Sequence, residues 1–129
     1  MLKVNNSLIA LNLSNNNIKD AGMIFLSNNL ANNKSLAYIS VQYNNTGEKG
    51  IESLSDLLLN NNALTKLKID GNNINHQGVE HLTRAMDINL SVIMLSGIKG
   101  YPEAERLISD KIQQNVKQFE AHLQLHCFI

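Results

Sequence analysis

The stretch that decides the fold is Leu8-x-x-Leu11-x-Leu13-x-x-Asn16-x-Ile18. The same pattern returns 28 residues later as Leu36-x-x-Ile39-x-Val41-x-x-Asn44-x-Thr46, and again as Leu64-x-x-Leu67-x-Ile69-x-x-Asn72-x-Ile74. A fixed period of this length indicates a repeat architecture, in which each unit buries its apolar face against its neighbours.

The second half of each unit keeps the same register. Glycine recurs at Gly22, Gly50 and Gly78. The columns that follow hold apolar residues and then asparagine: Met23, Ile51 and Val79; Leu26, Leu54 and Leu82; Leu30, Leu58 and Met86; Asn33, Asn61 and Asn89. Agreement between the units at so many positions excludes a chance repeat.

These residues resemble the leucine-rich-repeat family, and the 28-residue period with its glycine near the middle resembles the ribonuclease-inhibitor-like subclass. The resemblance covers about residues 1–98. It implies an α/β fold, a right-handed β-α superhelix with short parallel strands on the concave side and helices on the convex side. It is specific for the fold and says little about the partner.

The periodicity within a unit agrees with this fold. Alternation sends Leu11 and Leu13 to one face of a strand and Asn12 to the other. Apolar residues four apart, such as Leu26 and Leu30, predict helices near residues 20–31, 48–59 and 76–87. We interpret the glycines in their first turns as positions of close approach between neighbouring helices.

The asparagine that follows each strand is predicted to be structural. A side-chain amide both donates and accepts hydrogen bonds, so stacked Asn16, Asn44 and Asn72 can satisfy the backbone where the chain leaves the strand. Removing such a buried amide, as in Asn44→Ala, is expected to cost on the order of 1–3 kcal/mol.

The regular repeat ends after a fourth predicted strand, Ser91-Val92-Ile93-Met94-Leu95-Ser96. Gly97 then replaces the third core position. We therefore divide the chain into repeats at 1–98, with about three full units and the fourth strand, and a helical cap at 99–129. The apolar stripe Ile108, Ile112, Val116, Phe119 and Leu123 predicts a helix over about residues 102–125. This helix is expected to cap the last repeat; the alternative is a docking or dimerisation helix.

The other end shows no cap. Leu2 and Asn5 stand 28 residues before Leu30 and Asn33, so residues 1–7 read as the tail of a repeat. Either the chain is a fragment of a longer array, with Met1 not its natural start, or something else covers this end, since a bare terminal repeat exposes apolar core. Self-association through the uncapped first repeat is one such possibility.

Charge and composition narrow the function classes. The formal net charge is zero, so the basic excess of a nucleic-acid-binding protein is absent, and no apolar run is long enough for membrane insertion. The chain has one cysteine and no signal-peptide core, which favours the cytoplasm or delivery into a host cell without a cleaved signal peptide.

Few residues suggest chemistry. His122 and His126 are four apart on the last predicted helix and Cys127 follows, a spacing that permits a metal- or thiol-dependent enzyme. Solvated histidines and an inert thiol near a chain end explain the same residues better. We expect no enzyme, no metal and no cofactor.

A protein partner is expected on the concave face. Its predicted contacts follow from the strand register, and they are Tyr38, Gln42, Tyr43, Lys66, Lys68, Asp70 and Met94. Exposed tyrosines beside lysines make the best patch. Four strands spaced about 4.8 Å apart offer only a few hundred Å², less than the ~800 Å² that each side of a standard interface buries.

We therefore predict a protein-interaction module. Its short, asparagine-rich repeats resemble leucine-rich-repeat effectors that intracellular bacteria deliver into host cells, which implies a host protein as partner. The alternatives are a self-associating structural solenoid, a fragment of a longer repeat protein, and the enzyme considered above.

Overall fold

Strands and helices alternate along the chain in the computed structural model, which describes residues 2–127, the last two by their backbone only. The strands are β1 (Ala10–Asn12), β2 (Tyr38–Ser40), β3 (Lys66–Lys68) and β4 (Met94–Ser96). The helices are α1 (Lys19–Leu30), α2 (Glu48–Asn60), α3 (His76–Ile88) and α4 (Pro102–Cys127). The strands form one parallel sheet in the order β1-β2-β3-β4. The predicted α/β solenoid, with strands on the concave side and helices on the convex side, is confirmed.

One apolar core lies between the sheet and the helices. Ile39 and Leu67, in the middle of the two inner strands, are fully buried, whereas Leu11 and Leu95, in the outer strands, are only partly buried. The outer strands have one strand neighbour each among the described residues, and their side chains therefore keep part of their surface in contact with solvent. Each fully buried aliphatic side chain contributes about 1.5–3 kcal/mol.

The helix glycines are close-approach positions, but their neighbours differ along the solenoid. A Cβ on Gly50 would collide with Thr46 Cγ2 of its own unit, and it would also lie 2.8 Å from Asp20 Oδ1 and 3.2 Å from Met23 Cβ, both on α1. The Asp20 carboxylate uses this space to accept hydrogen bonds from the backbone N–H groups of Gly47 at 2.7 Å and Gly50 at 3.0 Å. It thereby caps the start of α2 from the preceding helix. At Gly22 the contacting atoms among the described residues belong to Ile18 of the same unit, so the interpretation as close approach between neighbouring helices is wrong for this glycine.

The asparagines that follow the strands form a column of hydrogen bonds, and we call Asn16, Asn44 and Asn72 the strand-exit asparagines. The Asn44 side chain accepts from the backbone N–H groups of Asn16 at 2.9 Å and Ile18 at 3.3 Å, and donates to the carbonyls of Leu13 and Gln42. Asn44 is fully buried, whereas Asn16 at the first repeat is exposed.

A second column lies where the chain enters each strand, and we call Asn5, Asn33, Asn61 and Asn89 the strand-entry asparagines. The buried Asn61 amide donates to the carbonyls of Leu30 and Asn33 in the preceding unit and accepts from the backbone N–H groups of Ala63 and Leu64. Asn33 repeats this pattern, and Asn89 repeats it with one carbonyl partner in the preceding unit, that of Leu58. Asn5 accepts from Ser7 N and Leu8 N in the same way, so residues 2–7 have the local geometry of a repeat tail.

Helix α4 packs on α3 and continues the second column. Asn115 on α4 is buried and donates to the carbonyls of Asn89 and Val92 at 3.2 and 2.8 Å. The predicted capping helix is thus confirmed, and its first half does the covering. Ile108 is buried and Ile112 and Val116 are partly buried, whereas Phe119 and Leu123 are exposed.

We predict that Asn44→Ala lowers the free energy of unfolding by about 3 kcal/mol, because the buried amide loses four hydrogen bonds to partly buried backbone groups together. Urea denaturation followed by circular dichroism measures the change. The matched control is Asn16→Ala, at the exposed end of the same column, for which the expected loss is below about 1 kcal/mol. Equal losses in the two variants would contradict a structural role for the buried amide.

Candidate functional site

The strand register sets three predicted contact residues side by side on the concave face. Tyr38 pairs with Lys66, and Lys66 pairs with Met94, so the three residues form one row at the start of β2, β3 and β4. Lys66 and Met94 are exposed and Tyr38 is partly buried. Lys68 lies on β3 between Ser40 and Ser96 and is partly buried. This row offers a partner an aromatic ring, a cation and a thioether.

Two other predicted contact residues, Gln42 and Asp70, bind each other. Gln42 Nε2 donates to Asp70 Oδ2 at 2.8 Å, and Ser96 Oγ donates to the same oxygen at 2.5 Å. These hydrogen bonds continue towards β1, because Ser40 Oγ lies 3.2 Å from Gln42 Oε1 and 2.7 Å from Ser14 Oγ. We call this the polar row. Its members already have partners within the fold, so Gln42 and Asp70 are less available to a ligand than the Tyr38 row.

Asp70 is held as a carboxylate by this arrangement. Burial works against its ionisation, but the hydrogen bonds from Ser96 and Gln42 outweigh burial, and the pKa of Asp70 lies below its ordinary value of 3.8. The positive charge of Lys99 acts in the same direction. The polar row therefore carries a fixed negative charge between the lysines of β3 and Lys99.

Tyr43 stands at the rim, just past β2, where the chain turns. Its φ of +53° is left-handed, as is that of Asn15 in the first repeat at +62° and Gly71 in the third at +72°. The Tyr43 ring packs directly on Gly71, where any Cβ would collide with it. Tyr43 is nevertheless 59% exposed. Its ring forms one wall of a hollow of about 250 Å³, which is also lined by Asp70, Gly71, Gly97 and Lys99.

A groove that sequence reasoning did not predict extends the concave face beyond β4. It encloses about 330 Å³ between the end of β4 and the first half of α4. The chain swings away here because Gly97 has a φ of +111°, and a Cβ on it would lie 2.5 Å from the Asp70 backbone nitrogen. Ile98 and Ile108 line the groove with Lys99 and Glu105 at its edge. In the sequence, the only sign of this groove is that Gly97 replaces an apolar core residue of the repeat.

Three residues were considered for metal or thiol chemistry: His122, His126 and Cys127. The side chains of His126 and Cys127 lie outside the described residues. Among the residues that the structure does describe, there is no group of three or more histidine, cysteine or acidic side chains suited to a metal ion. Within that same part of the chain, no helix has the length and apolar character to cross a membrane.

Comparisons with known proteins agree on the fold. A family profile described as Leucine Rich repeat matches residues 4–27. The solved structure titled "Leiomodin-1 Actin-Binding Site 2 (ABS2)" superposes with a TM-score of 0.88 at 21% identity, covering 97% of this chain and 74% of that one. The tropomodulin C-terminal domain from Caenorhabditis elegans gives a TM-score of 0.64 at 13% identity, covering 93% of this chain and 91% of that one. No curated protein matches by sequence. The fold is a leucine-rich-repeat solenoid, as the repeat predicts.

We predict that the contribution of Asp70 to stability depends on pH. Because its pKa in the folded chain is lowered, the carboxylate stabilises the fold above about pH 4, and this contribution disappears as the pH falls through and below 3.8. Asp70→Asn should therefore reduce the free energy of unfolding at about pH 6 and have a smaller effect near pH 3, as urea denaturation at both pH values would measure. Asp110→Asn, at an exposed position on α4, controls for the loss of one negative charge. An unchanged difference at the two pH values would contradict the hydrogen-bonded carboxylate.

Proposed function

We propose that this solenoid is a protein-interaction module whose concave face binds another protein through Tyr38, Lys66, Lys68 and Met94, with Tyr43 at the rim. The observation that carries the proposal is the row formed by Tyr38, Lys66 and Met94 on three neighbouring strands. Tyrosine offers a large contact area at a low entropic cost, and methionine adapts to irregular apolar surfaces. No catalytic activity is part of the proposal.

The charges favour an acidic partner segment. Lys66 and Lys68 stand on β3, and Lys99 follows β4 near the same face, whereas the charge of Asp70 is already engaged by Gln42 and Ser96. Complementary charge speeds association and selects the partner more than it adds affinity. Gln42 and Asp70 then act by fixing the shape of the face.

The contact area limits the affinity of the concave face alone. Four strands about 4.8 Å apart give a narrow strip. The hollow beside Tyr43 and the groove between β4 and α4 adjoin it, since both include Asp70, Gly97 and Lys99. A partner that follows the face from Tyr38 to α4 therefore reaches an interface nearer to the standard ~800 Å² per side.

The setting we propose is that of a bacterial effector-type protein of the ribonuclease-inhibitor-like subclass that binds a host protein, in the cytoplasm or after delivery into a host cell. The 28-residue unit with its glycine in the first helical turn and the 20 asparagines support this resemblance. Actin is the first partner to test, because the likeness to the leiomodin-1 structure extends over 97% of this chain, α4 included.

A second candidate function is structural self-association through the first repeat. It is favoured by the apolar side chains that this end exposes, among them Ile9 and Phe25, the latter 71% exposed. In the second and third repeats the position of Phe25 holds Ser53 and His81. If this candidate is right, Phe25→Ser abolishes assembly and leaves the concave face unaltered.

We predict that Tyr38→Ala and Lys66→Glu each weaken binding to the partner at least about tenfold, or about 1.4 kcal/mol, as expected for residues at the centre of an interface. Affinity capture from host-cell lysate identifies bound proteins, and purified actin is assayed directly by cosedimentation and by binding of the monomer. Phe25→Ser, far from the concave face on α1, is the matched control. A partner bound equally by the wild type and by the Tyr38→Ala/Lys66→Glu double variant would place the contact elsewhere and overturn the proposal.

A further inference from the structure

We propose that the open end of the column of strand-exit asparagines binds a carboxamide, the side chain of an asparagine or a glutamine on the partner. The inference rests on the proposed function, because the site borders the concave face, and it names one group that the partner supplies there. The column ends with Asn72, which follows β3. The next position in the 28-residue register is Gly100, which has no side chain to continue the column.

Each inner member of the column makes the same contacts with the unit before it. The Asn72 side-chain oxygen accepts hydrogen bonds from the backbone N–H groups of Asn44 at 3.0 Å and Thr46 at 3.1 Å. Its amide nitrogen donates to the Val41 carbonyl at 3.0 Å. Asn44 makes the same three contacts one unit earlier. At each of these two joints, one carboxamide therefore pairs two N–H groups and one carbonyl of the preceding unit.

The corresponding three backbone groups are open after β3. In register they are the N–H groups of Asn72 and Ile74 and the carbonyl of Ile69. Neither N–H group donates a hydrogen bond within the described part of the chain. Among the same residues the Ile69 carbonyl accepts one, from Asn72 Nδ2 at 2.8 Å, whereas the Leu13 carbonyl in the first unit accepts two, from the amides of successive asparagines. The open groups thus have the pattern that a further asparagine would fill.

The chain leaves room on this side of β3. It turns away at Gly97, whose φ is +111°, and a Cβ on Gly100 would meet no described atom within 4 Å apart from its chain neighbours. The hollow of about 250 Å³ described above reaches Gly71, the residue directly before the open N–H groups. Gly71 and Lys99, in its walls, are exposed. A side chain of the partner therefore approaches the open groups from this hollow.

The open groups select a carboxamide over a carboxylate. A carboxamide accepts through its oxygen and donates through its nitrogen, so it can pair both N–H groups and the Ile69 carbonyl together. A carboxylate only accepts, and its second oxygen would face the Ile69 carbonyl oxygen without a proton between them. Asp70 and Lys99, in the walls of the hollow, have opposite charges and together give no preference for an anion.

Burial makes the open N–H groups worth pairing. Asn72 and Ile74 are partly buried, and a backbone N–H group that is shielded from water costs free energy until it finds an acceptor. A single amide makes few contacts, so a small ligand with this group binds with a dissociation constant on the order of 10 mM. In a complete interface the same contact contributes to the choice of partner, because a residue without the amide leaves these groups unpaired.

The test is a titration of the isotope-labelled chain with N-acetyl-asparagine methylamide, followed through the backbone N–H resonances by NMR. The resonances of Asn72 and Ile74 are expected to shift and to saturate with a dissociation constant on the order of 10 mM. The N–H groups of Asn44 and Thr46 are internal controls and should not shift, because they already donate to the Asn72 side chain.

The matched control ligand is N-acetyl-aspartate methylamide, in which a carboxylate replaces the carboxamide. It is expected to bind at least about fivefold more weakly. The absence of a saturable shift up to about 100 mM of the asparagine ligand would overturn the proposal, since the open groups would then be satisfied by water alone. Equal binding of the two ligands, or tighter binding of the aspartate ligand, would refute the selection of a carboxamide.

Hydrogen exchange without ligand tests that the groups are open. The N–H groups of Asn72 and Ile74 are expected to exchange at least about tenfold faster than those of Asn44 and Thr46. Equally slow exchange of the two pairs would mean that the fold already provides an acceptor, and it would refute the site.

The titration is independent of the partner, so its failure is distinguishable from failure of the proposed function. The Tyr38→Ala/Lys66→Glu double variant, which is altered in the row on the concave face, should bind the asparagine ligand as the wild type does. Loss of ligand binding in this variant would place the amide on the concave row and overturn the assignment to the end of the column.

Discussion

The structure depends on buried asparagine amides that hydrogen-bond the backbone of neighbouring repeats. Every unit of the solenoid has to turn twice, once on leaving its strand and once on entering the next, and at both turns backbone groups lose contact with water. A buried N–H or carbonyl without a partner costs free energy comparable to a lost hydrogen bond. Asn44 and Asn61 each satisfy four such groups, and in doing so each bridges two units. These bonds tie together the units whose paired strands carry the row of Tyr38, Lys66 and Met94.

Structural positions account for about half of the 20 asparagines of the chain. Apart from the two columns, Asn15, Asn17 and Asn45 adopt left-handed backbone conformations with φ between 51° and 62°. Asparagine tolerates this conformation better than most residues. In the sequence analysis, the high asparagine content contributed to the resemblance to bacterial effectors. The positions of these residues give asparagine a structural reason that holds whatever the source is.

Much of the fold was predictable because period and burial are linked. The 28-residue register alone gives the parallel pairing of Ala10 with Tyr38 and of Tyr38 with Lys66, since equal spacing requires equal positions in the unit. The capping role of α4 was predictable in kind, but the point along its stripe where burial ends was not. Asn115 was missed because it continues the strand-entry column from a helix, 26 residues after Asn89, and so falls outside the repeat.

The concave face was harder to predict than the fold. Position in the register places Gln42, Asp70 and Ser96 near one another, but whether they bind each other or a partner depends on side-chain conformations that a repeat pattern does not encode. The groove beside β4 forms because Gly97 departs from the repeat pattern. Such a break shows where the regular repeat ends, but it does not show which structure follows. Gln42 and Asp70 are engaged in the polar row. The residues that we propose to contact a partner are therefore Tyr38, Lys66, Lys68 and Met94.

The central claim is that the asparagine columns hold the repeats together as one unit, and native-state hydrogen exchange tests it most directly. The backbone N–H groups of Leu36, Leu64 and Val92 donate to the side-chain oxygens of Asn33, Asn61 and Asn89, in segments outside the helices and strands. We expect these three amides to exchange only through global unfolding, with the same free energy as the amide of Val41, which lies directly after β2 and donates to the Lys68 carbonyl of β3. Exchange at a much lower free energy, as in ordinary loops, would contradict the claim and leave apolar packing alone to join the repeats.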